Sequence, residues 1–339
     1  MGTCSSSSSA KPINPYLYII TSVFNPANFS VRKDLHKEFI ERLSQYPEIK
    51  TITIECAFAD QNFSLTIPNN EPANIQIRTE HPIWVKENLI NIAIKKLKHD
   101  RNFNKYCKYI AWADNDIEFS ESDFIEKIEE AFQKYNVVQL FKHTEFLDAE
   151  ENIIDVHTSF GYYYALKKCE NLEKCEYPHP GYAWCAKKDL ILKQEGLFDK
   201  GILGSGDKGM AYAFIGRAEE GLNTKYPLTD GYHNSLIDWG EKAVSIFKKN
   251  LGYVDTTIRH YWHGGKNDRQ YMHRWFLLSD HKYDPYKDLI IAENGVQQLR
   301  SDKSDKRDLI EAINKYFHNR NEDNKASEES IEEIPNERR

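Results

Sequence analysis

Two aspartates stand two positions apart where an apolar run of the sequence ends, in the segment from Tyr109 to Phe119. In an extended chain, Asp114 and Asp116 project from the same face. Mg²⁺ and Mn²⁺ prefer oxygen ligands, usually one or two carboxylates together with phosphate oxygens and water. The pair therefore indicates a site for a divalent cation that bridges a diphosphate, although the same spacing also occurs in solvated turns and helix caps.

A second motif is the glycine-rich Gly204-Ser205-Gly206-Asp207, which precedes a predicted helix from Met210. Glycine lets another group approach the backbone closely. Aspartate is also a favoured residue at a helix N-cap. Asp207 is thus either a carboxylate that faces a ligand or a structural cap, and one residue can be both.

The third motif contains two histidines three positions apart, His260 and His263, after the strand-like run from Tyr253 to Ile258. Neutral imidazole is a nitrogen ligand for Mn²⁺, whereas a lone histidine is more often structural. The spacing indicates a site and leaves open which histidine binds. A basic segment follows, which could cover a diphosphate or form a solvated face. Its residues are Lys266, Arg269, Tyr271 and Arg274.

Hydrophobic periodicity places the first of these motifs at the end of a strand. Apolar runs predict strands, and apolar residues at helical spacing predict helices between them. The predicted strands are Tyr16 to Val23, Thr51 to Ala57, Asn74 to Arg78, Tyr109 to Ala113 and Val137 to Phe141, and the predicted helices include Val31 to Leu43, Leu89 to Leu97 and Asp123 to Tyr135. The alternation predicts an α/β fold with a mostly parallel sheet, in which ligands lie beyond the carboxyl ends of the strands.

The strand ends and one aromatic loop supply further candidate contacts. Thr21, Ser22 and Asp60 follow early strands and could contact the base and ribose of a nucleotide, with ordinary turn chemistry as the alternative. Tyr182 and Trp184 follow a Pro-Gly break. Their aromatic faces could stack on a sugar acceptor or pack in the core.

The composition excludes several classes of protein. The chain has 339 residues and a formal charge of −7, without the basic stripe that nucleic-acid binding needs, so no nucleic-acid partner is expected. Its six cysteines lack paired Cys-x-x-Cys spacing, which argues against a zinc site. Cys169 and Cys175 could pair across a loop, but reduced thiols are expected. No apolar run reaches the ~18 residues of a membrane span.

The chain is expected to comprise a leader, one catalytic domain and a tail. Residues 1–14 form a serine-rich leader whose first residues fit N-myristoylation at Gly2, with Cys4 available for palmitoylation, or else a disordered segment. Residues 15–318 form the domain, with a nucleotide-sugar-binding half at 15–120 and an acceptor-binding half at 121–318. Residues 319–339 have the composition of a charged, disordered tail. Without a secretion signal, the domain is expected in the cytoplasm, anchored to the cytosolic face of a membrane if it is acylated.

The run Tyr-Ile-Ala-Trp-Ala-Asp-Asn-Asp-Ile-Glu-Phe, residues 109–119, resembles the Asp-x-Asp strand of GT-A-fold glycosyltransferases. A helix before that strand carries polar residues, including Asn88, as in many of these enzymes. The resemblance extends from about Tyr16 to Asp288 and implies a GT-A fold. The donor contacts that it implies are Lys86, Asn91, Asp114 and Asn115.

The same resemblance assigns roles to the other motifs. A late histidine often completes the metal shell in GT-A enzymes, which implies a metal site at Asp114, Asp116, His260 and His263. In inverting relatives such as the β-1,4-galactosyltransferases, a glycine-rich segment that ends in an acidic residue supplies the general base. By similarity, that base is Asp207.

These observations together predict a glycosyltransferase that uses Mn²⁺ or Mg²⁺. We expect it to move a hexose from a nucleotide-diphosphate sugar, such as a UDP-hexose, to a hydroxyl of a glycan, glycoprotein or glycolipid. Inversion at the anomeric carbon is expected, with retention as the alternative. Two other functions stay open. One is a sugar-1-phosphate nucleotidyltransferase, disfavoured because the loop after the first strand lacks glycine, and the other is a non-catalytic protein that binds sugar or calcium.

Overall fold

The computed structural model describes residues 14–67, 73–166, 178–265, 267–302 and 304–324. The first third alternates strands and helices, as the periodicity predicts. Its elements are β1 (Leu17–Phe24), α1 (Ser30–Leu43), β2 (Ile49–Phe58), β3 (Asn74–Thr79), α2 (Lys86–Leu97), α3 (Arg101–Tyr106), β4 (Tyr109–Ala113) and β5 (Ile117–Phe119).

The remaining elements vary more in length, with strands of three to six residues and α-helices of four to 18 residues. In the middle of the chain they are α4 (Phe124–Lys134), β6 (Val137–Gln139), β7 (His143–Leu147), β8 (Ile153–Thr158), α5 (Phe160–Ala165), β9 (Ala183–Lys187), α6 (Lys188–Gln194) and α7 (Gly206–Phe214). A short 3₁₀ helix (Ala218–Gly221) precedes α8 (Asp230–Phe247), β10 (Leu251–Tyr253), β11 (Thr257–His260), α9 (His273–Asp280), α10 (Pro285–Asp288), β12 (Leu289–Ile291), β13 (Gln297–Leu299) and α11 (Ser304–Asn319).

Seven strands form the central sheet in the order β10-β6-β9-β4-β1-β2-β3. Every neighbouring pair is parallel except those of β9, which is antiparallel to β4 and β6. The predicted α/β class with a mostly parallel central sheet is therefore confirmed. Strands from both predicted halves of the domain belong to this one sheet.

Helices cover both faces of the sheet, which explains why β1 is apolar along its length. Successive side chains of a strand point to opposite faces. Tyr18 and Ile20 accordingly belong to one hydrophobic cluster, and Leu17 and Ile19 to the other. A strand buried on both faces has no polar side and reads as a continuous apolar run.

A second sheet, in the order β5-β11-β7-β8, carries the late histidines to the Asp-Asn-Asp turn. Strand β11 is antiparallel to β5 and pairs His260 with Ile117, the residue after Asp116. The single predicted strand from Tyr253 to Ile258 is two strands. The chain leaves the central sheet after β10 and enters the second sheet at β11, so the apolar run continues through a change of sheet.

The packed chain continues past the predicted start of the tail. Helix α11 ends at Asn319, and Arg320 and Glu322 beyond it are only 6% and 4% exposed. These two charged residues can be buried because they neutralise each other in an ion pair. The boundary predicted at 319 is therefore too early. Residues 325–339 and the leader, with Gly2 and Cys4, lie outside the described residues, so the acylation stays a prediction.

The cysteines in the described part of the chain are buried free thiols. Cys56, Cys107 and Cys185 are free and buried, as expected for thiols that pack like small apolar side chains. Cys169 and Cys175 lie outside the described residues.

In the described part of the chain, no helix has the length and apolar character needed to cross a bilayer.

Candidate active site

The Asp-Asn-Asp turn between β4 and β5 is fixed at both ends by backbone hydrogen bonds. The amide of Asp114 donates to the carbonyl of Tyr182 at 2.8 Å, and the carbonyl of Asp116 accepts from the amide of Tyr261 at 2.8 Å. Between them, the side-chain amide of buried Asn115 lies 3.5 Å from Nδ1 of His36. The turn therefore has a defined position, to which two later segments of the chain contribute.

Asp116, His260 and His263 form a buried cluster with the donor set of a metal site. Nε2 of His263 lies 3.0 Å from Oδ2 of Asp116, and Nε2 of His260 lies 3.7 Å from Oδ1. One potential ligand atom from each residue lies within 4.8 Å of the other two, and within the described chain this is the one such group of three. The side chains are 3 to 5% exposed.

The charge states of this cluster suit a cation. Burial alone would raise the pKa of Asp116, but a hydrogen bond from His263 and the charge of Arg32 hold it well below its usual range. Burial lowers the pKa of His263 to about 4 and that of His260 well below its ordinary value, so both imidazoles are neutral. Oδ1 of Asp116 and Nδ1 of His260 are buried without a hydrogen-bond partner among the described residues. A carboxylate with two neutral imidazoles fits Mn²⁺.

Asp114 faces a different partner. Its Oδ1 lies 2.7 Å from Nζ of Lys86, which also lies 3.0 Å from Oδ2 of Asp207. Lys86 is 5% exposed and links the turn to the glycine-rich segment. Burial raises the pKa of Asp114 to about 6 against the opposing effect of Lys86. The metal role predicted for Asp114 is therefore not supported by its contacts, because its carboxylate pairs with an ammonium group.

Asp207 lies in the first turn of α7 but is not its cap. Ser205 holds the N-cap position with φ +67°, so the structural alternative for Asp207 is wrong. Its Oδ1 is buried without a hydrogen-bond partner in the described chain. Glu87 packs against Gly206, where a Cβ would lie 2.5 Å from Oε1. Burial raises the pKa of Glu87 to about 8.

Guanidinium groups surround the metal cluster. Nη1 of Arg32 lies 3.3 Å from Oδ2 of Asp116, and its Nη2 lies 3.2 Å from Nδ1 of His263. Arg269 is 6% exposed, and its Nε has no hydrogen-bond partner in the described chain, as is also true of Nε of Arg274. The basic segment predicted to cover a diphosphate thus includes inward-facing cations. Its Lys266 lies outside the described residues.

The predicted nucleotide contacts have different environments. Thr21 is fully buried towards the carboxyl end of β1, and its hydroxyl has no hydrogen-bond partner among the described residues. Ser22 is half-buried beside it, whereas Asp60 is exposed beyond β2. Thr21 and Ser22 therefore lie at the edge of the sheet where the turn begins, and Asp60 lies farther out. Their roles stay predictions.

Two other residues predicted to contact a ligand, Asn91 and Trp184, have structural roles. Nδ2 of Asn91 donates to the carbonyl of Leu197 at 3.0 Å and its Oδ1 accepts from the amide of Leu197 at 2.7 Å. Trp184 is 1% exposed within the sheet, and its indole nitrogen donates to the Pro180 carbonyl at 2.8 Å. The ligand contacts predicted for Asn91 and Trp184 are therefore not supported, because Leu197 occupies the Asn91 amide and the Trp184 ring is buried in the sheet.

Tyr182 is also buried, at 6% exposure. One face of its ring stacks on His179, with ring centroids 4.2 Å apart, and its centroid lies 4.8 Å from that of His260. Its hydroxyl lies 2.9 Å from Nδ1 of His157. Tyr182 supports a metal-site imidazole and offers little surface to a sugar, so its predicted acceptor contact is not supported.

Four charged residues near the site were not predicted to contribute. They are Arg32, Glu87, Arg320 and Glu322. A position in the first turn of a helix after β1 could have indicated Arg32, because that helix starts at the ligand-binding edge of the sheet. The sequence near Glu322 is tail-like and gives no such signal. Its partner Arg32 is 290 positions away.

Two comparisons with known proteins found no match, and a third found similar solved structures. No protein-family model matches the sequence, and no curated protein matches it. The chain is similar to the solved structure of M. tuberculosis glucosyl-3-phosphoglycerate synthase, at 8% identity over 79% of this chain and 78% of that one, with a TM-score of 0.34. It is also similar to 4-diphosphocytidyl-2C-methyl-D-erythritol synthase from Anaerococcus prevotii, at 12% identity over 72% and 88% of the chains, with a TM-score of 0.33.

A third similar structure is a protein from Desulfovibrio desulfuricans described as a nucleotide-diphospho-sugar transferase. The identity is 9% over 73% of this chain and 84% of that one, with a TM-score of 0.30. With identities of 8 to 12% and TM-scores of 0.30 to 0.34, these similarities carry no argument about function, which has to be inferred from the site.

Proposed function

We propose that the protein is a metal-dependent glycosyltransferase that moves a hexose from a nucleotide-diphosphate sugar, such as a UDP-hexose, to an acceptor hydroxyl. One observation carries the proposal. The Asp-Asn-Asp turn has a buried carboxylate with two neutral imidazoles at one end, and at the other end it is tied through Lys86 to Asp207. A cation site and a candidate base thus meet at the carboxyl edge of one sheet.

Asp116, His260 and His263 would hold the metal. A bound Mn²⁺ or Mg²⁺ would offset the negative charge that develops on the departing nucleoside diphosphate. Metal binding by His263 would require a rearrangement. A guanidinium only donates, so Nδ1 of His263 accepts from Arg32 and the imidazole proton is on Nε2, facing Asp116. For Nε2 to become a ligand, that proton must leave, and Arg32 must release Nδ1 if the proton moves there.

Asp207 would act as the general base. Its Oδ2 accepts from Lys86, which stabilises the ionised carboxylate, while Oδ1 is without a partner among the described residues and is free to accept a proton. The acceptor oxygen would form a bond to the anomeric carbon as its proton passes to Asp207. The bond from that carbon to the diphosphate would break in the same step, which gives inversion.

Arg269 and Arg274 are suited to the donor's diphosphate. The guanidinium of Arg274 lies 4.9 Å from the ring of Tyr271, and Nη1 of Arg269 lies 3.2 Å from its hydroxyl. Guanidinium groups pair readily with phosphate oxygens. Neither arginine has a carboxylate partner among the described residues. A diphosphate could therefore form ion pairs with both.

The nucleotidyltransferase alternative is disfavoured by the loop after β1. Such enzymes need a glycine-rich basic loop there. Here the side chain of Asn25 accepts from the amide of Phe29 at 2.9 Å and donates to its carbonyl at 2.7 Å. The loop is therefore closed on itself by its own asparagine, and its backbone is not arranged to surround a triphosphate.

The direct experiment is a screen of UDP, GDP and CMP sugars for released nucleotide, with Mn²⁺, Mg²⁺ or a chelator. Turnover of one donor that stops with the chelator is expected and would name the sugar. Candidate glycan, glycoprotein and glycolipid acceptors should then increase the rate. If no donor is turned over and none binds, the non-catalytic alternative replaces this proposal.

A further inference from the structure

Residues 320–324, which follow α11, lie across the candidate site and are called the C-terminal strap here. The carboxylate of Asp323 accepts from the backbone amides of Ser30 and Val31 at 3.0 and 2.8 Å. It therefore satisfies two of the free amides at the start of α1, as a capping side chain does. The indole nitrogen of Trp262 donates to the carbonyl of Asn324 at 2.9 Å. The strap is thus fastened at α1 and at the loop after β11.

Glycine is required where the strap crosses that loop. Gly264 has φ +89°, and a Cβ there would lie 2.9 Å from Cα of Glu322. The close approach brings the Glu322 side chain inside, where it is 4% exposed. The crossing therefore positions one carboxylate beside His263.

Two guanidinium groups bind this carboxylate. Arg32 donates to Glu322 from both Nε and Nη2, the latter at 2.9 Å, and Nε of Arg320 donates at 2.6 Å. Together they hold the pKa of Glu322 far below its ordinary value, although burial acts to raise it. Guanidinium groups arranged in this way fit a phosphate group as well as they fit a carboxylate.

The position of this pair of arginines relates it to the metal cluster. Arg32 contacts both Asp116 and His263, so Glu322 is separated from the cluster by one guanidinium group. On the other side, Arg320 lies 5.6 Å from the ring of Trp84, which precedes α2 and Lys86. The carboxylate of Glu322 thus lies at the rim that a metal-bound diphosphate would share.

We propose that Arg32 and Arg320 form a phosphate-binding seat that Glu322 fills until a diphosphate displaces it. The identity of the ligand, the diphosphate of a sugar donor, rests on the proposed function. A buried carboxylate at the seat repels a neighbouring diphosphate, so the two arginines cannot bind both anions tightly at the same time. A diphosphate carries more negative charge than one carboxylate and also attracts Arg269 and Arg274.

The fastening of the strap is compatible with its displacement. Its contacts to α1 and to the loop are mainly hydrogen bonds and ion pairs, which water or a new anion can replace. The apolar anchor of this region is α11, where the ring of Phe317 packs against Phe24 and Trp84. The strap can therefore leave the seat while α11 stays packed.

The test measures the affinity of the full-length protein for inorganic pyrophosphate by calorimetry. Glu322→Gln keeps the size of the side chain and removes the competing charge, so pyrophosphate should bind about tenfold more tightly. Glu311→Gln, at an exposed position of α11, is the matched control. It makes the same chemical change on the helix that stays packed, outside the strap and its contacts, and should change the affinity by less than about twofold.

A second readout is hydrogen exchange of the strap amides in the wild-type protein. Pyrophosphate should increase exchange at residues 321–324 and leave α11 unchanged. Unaltered or weaker binding by Glu322→Gln, together with strap exchange that pyrophosphate does not increase, would show that Glu322 is a structural partner of the arginines. If Glu322→Gln does not fold, Glu322→Asp replaces it, since withdrawing the carboxylate should also tighten binding, by a smaller factor.

These results separate the seat from the proposed function. Tighter pyrophosphate binding by Glu322→Gln, in a protein that turns over no nucleotide sugar, would support the seat and contradict the transferase. Donor turnover with no effect of Glu322→Gln on pyrophosphate would support the transferase and contradict the seat.

Discussion

The two ends of the Asp-Asn-Asp turn hold carboxylates in opposite electrostatic states. Asp116 is surrounded by His260, His263 and Arg32, and its pKa is held well below its usual range. Asp114 shares one ammonium group, that of Lys86, with a second carboxylate, and burial raises its pKa to about 6. The two carboxylates are only two residues apart, yet Asp116 is suited to attracting a cation and Asp114 to exchanging a proton.

This difference suggests a division of labour. The proposed metal end, at Asp116, collects side chains from the turn after β4, from α1, from β11 and from the loop after β11 around a single negative charge. The proton end places Asp207 and Glu87 around Lys86, so more than one carboxyl group competes for one positive charge.

Asp207→Asn should remove the base and leave the metal end intact. We expect turnover to fall by roughly a thousandfold, in the range for a lost general base. Donor binding in the presence of Mn²⁺ should stay within about twofold, because Asp207 does not contact the metal cluster. Steady-state kinetics and calorimetry measure the two effects. Asp230→Asn, an exposed acid in the first turn of α8, is the control, and substantial residual turnover by Asp207→Asn would refute the base assignment.

Asp116→Ala should abolish the cation site without touching Lys86 or its partners. Loss of the only carboxylate in the cluster is expected to weaken Mn²⁺ binding by more than about a hundredfold, beyond the loss typical of an outer-shell partner. Titration of the protein with Mn²⁺ measures it directly. Glu118→Gln, on β5 two residues further on, is the control and should bind Mn²⁺ normally. Equal affinities of Asp116→Ala and the wild type would disprove the metal site.

Lys86→Met should damage the proton end alone. Removing the ammonium leaves Asp114 and Asp207 without their positive partner, and removing one partner of a buried ion pair costs about 3 to 5 kcal/mol. Because both carboxylates are partly exposed, at 30% and 20%, the loss of stability should lie towards the smaller end of that range. Denaturant unfolding at pH 7 measures it, with exposed Lys95→Met on the same helix as the control. A stability loss no greater than that of Lys95→Met would show that Lys86 is dispensable there.

Sequence reasoning was most successful where the signal is local. An apolar strand followed by Asp114 and Asp116 is visible in ten residues, and the alternation of strands and helices predicts the parallel sheet. Partners distant in the chain were not predicted. Lys86 joins carboxylates from two segments, and Glu322 reaches Arg32 across 290 positions. Periodicity describes which face of an element is apolar, whereas the pairing of buried charges depends on how the elements are packed.

The same limit explains why the ligand contacts predicted for Trp184 and Asn91 are not supported by the structure. An aromatic residue after a Pro-Gly break, such as Trp184, has the same local sequence whether it lines a pocket or enters a strand. Asn91 likewise has the polarity of a ligand contact, yet the backbone of Leu197 occupies its amide. The composition of the tail was equally ambiguous, since Arg320 and Glu322 are charged but neutralise each other when buried.

Glu87→Gln provides the finest test of the comparison, because it removes a proton-binding group from the proton end only. Burial raises the pKa of Glu87 from 4.5 to about 8 in the folded protein. Between these values the folded state holds a proton that the unfolded state has released, so this residue's contribution to stability decreases as the pH rises. The slope is up to about 1.4 kcal/mol per pH unit. Glutamine cannot ionise, so the variant should gain stability relative to the wild type from pH 5 to pH 8, measured by denaturant unfolding. A difference that does not change with pH would show that Glu87 is ionised in the folded protein, and the proton end would then carry full negative charge around Lys86.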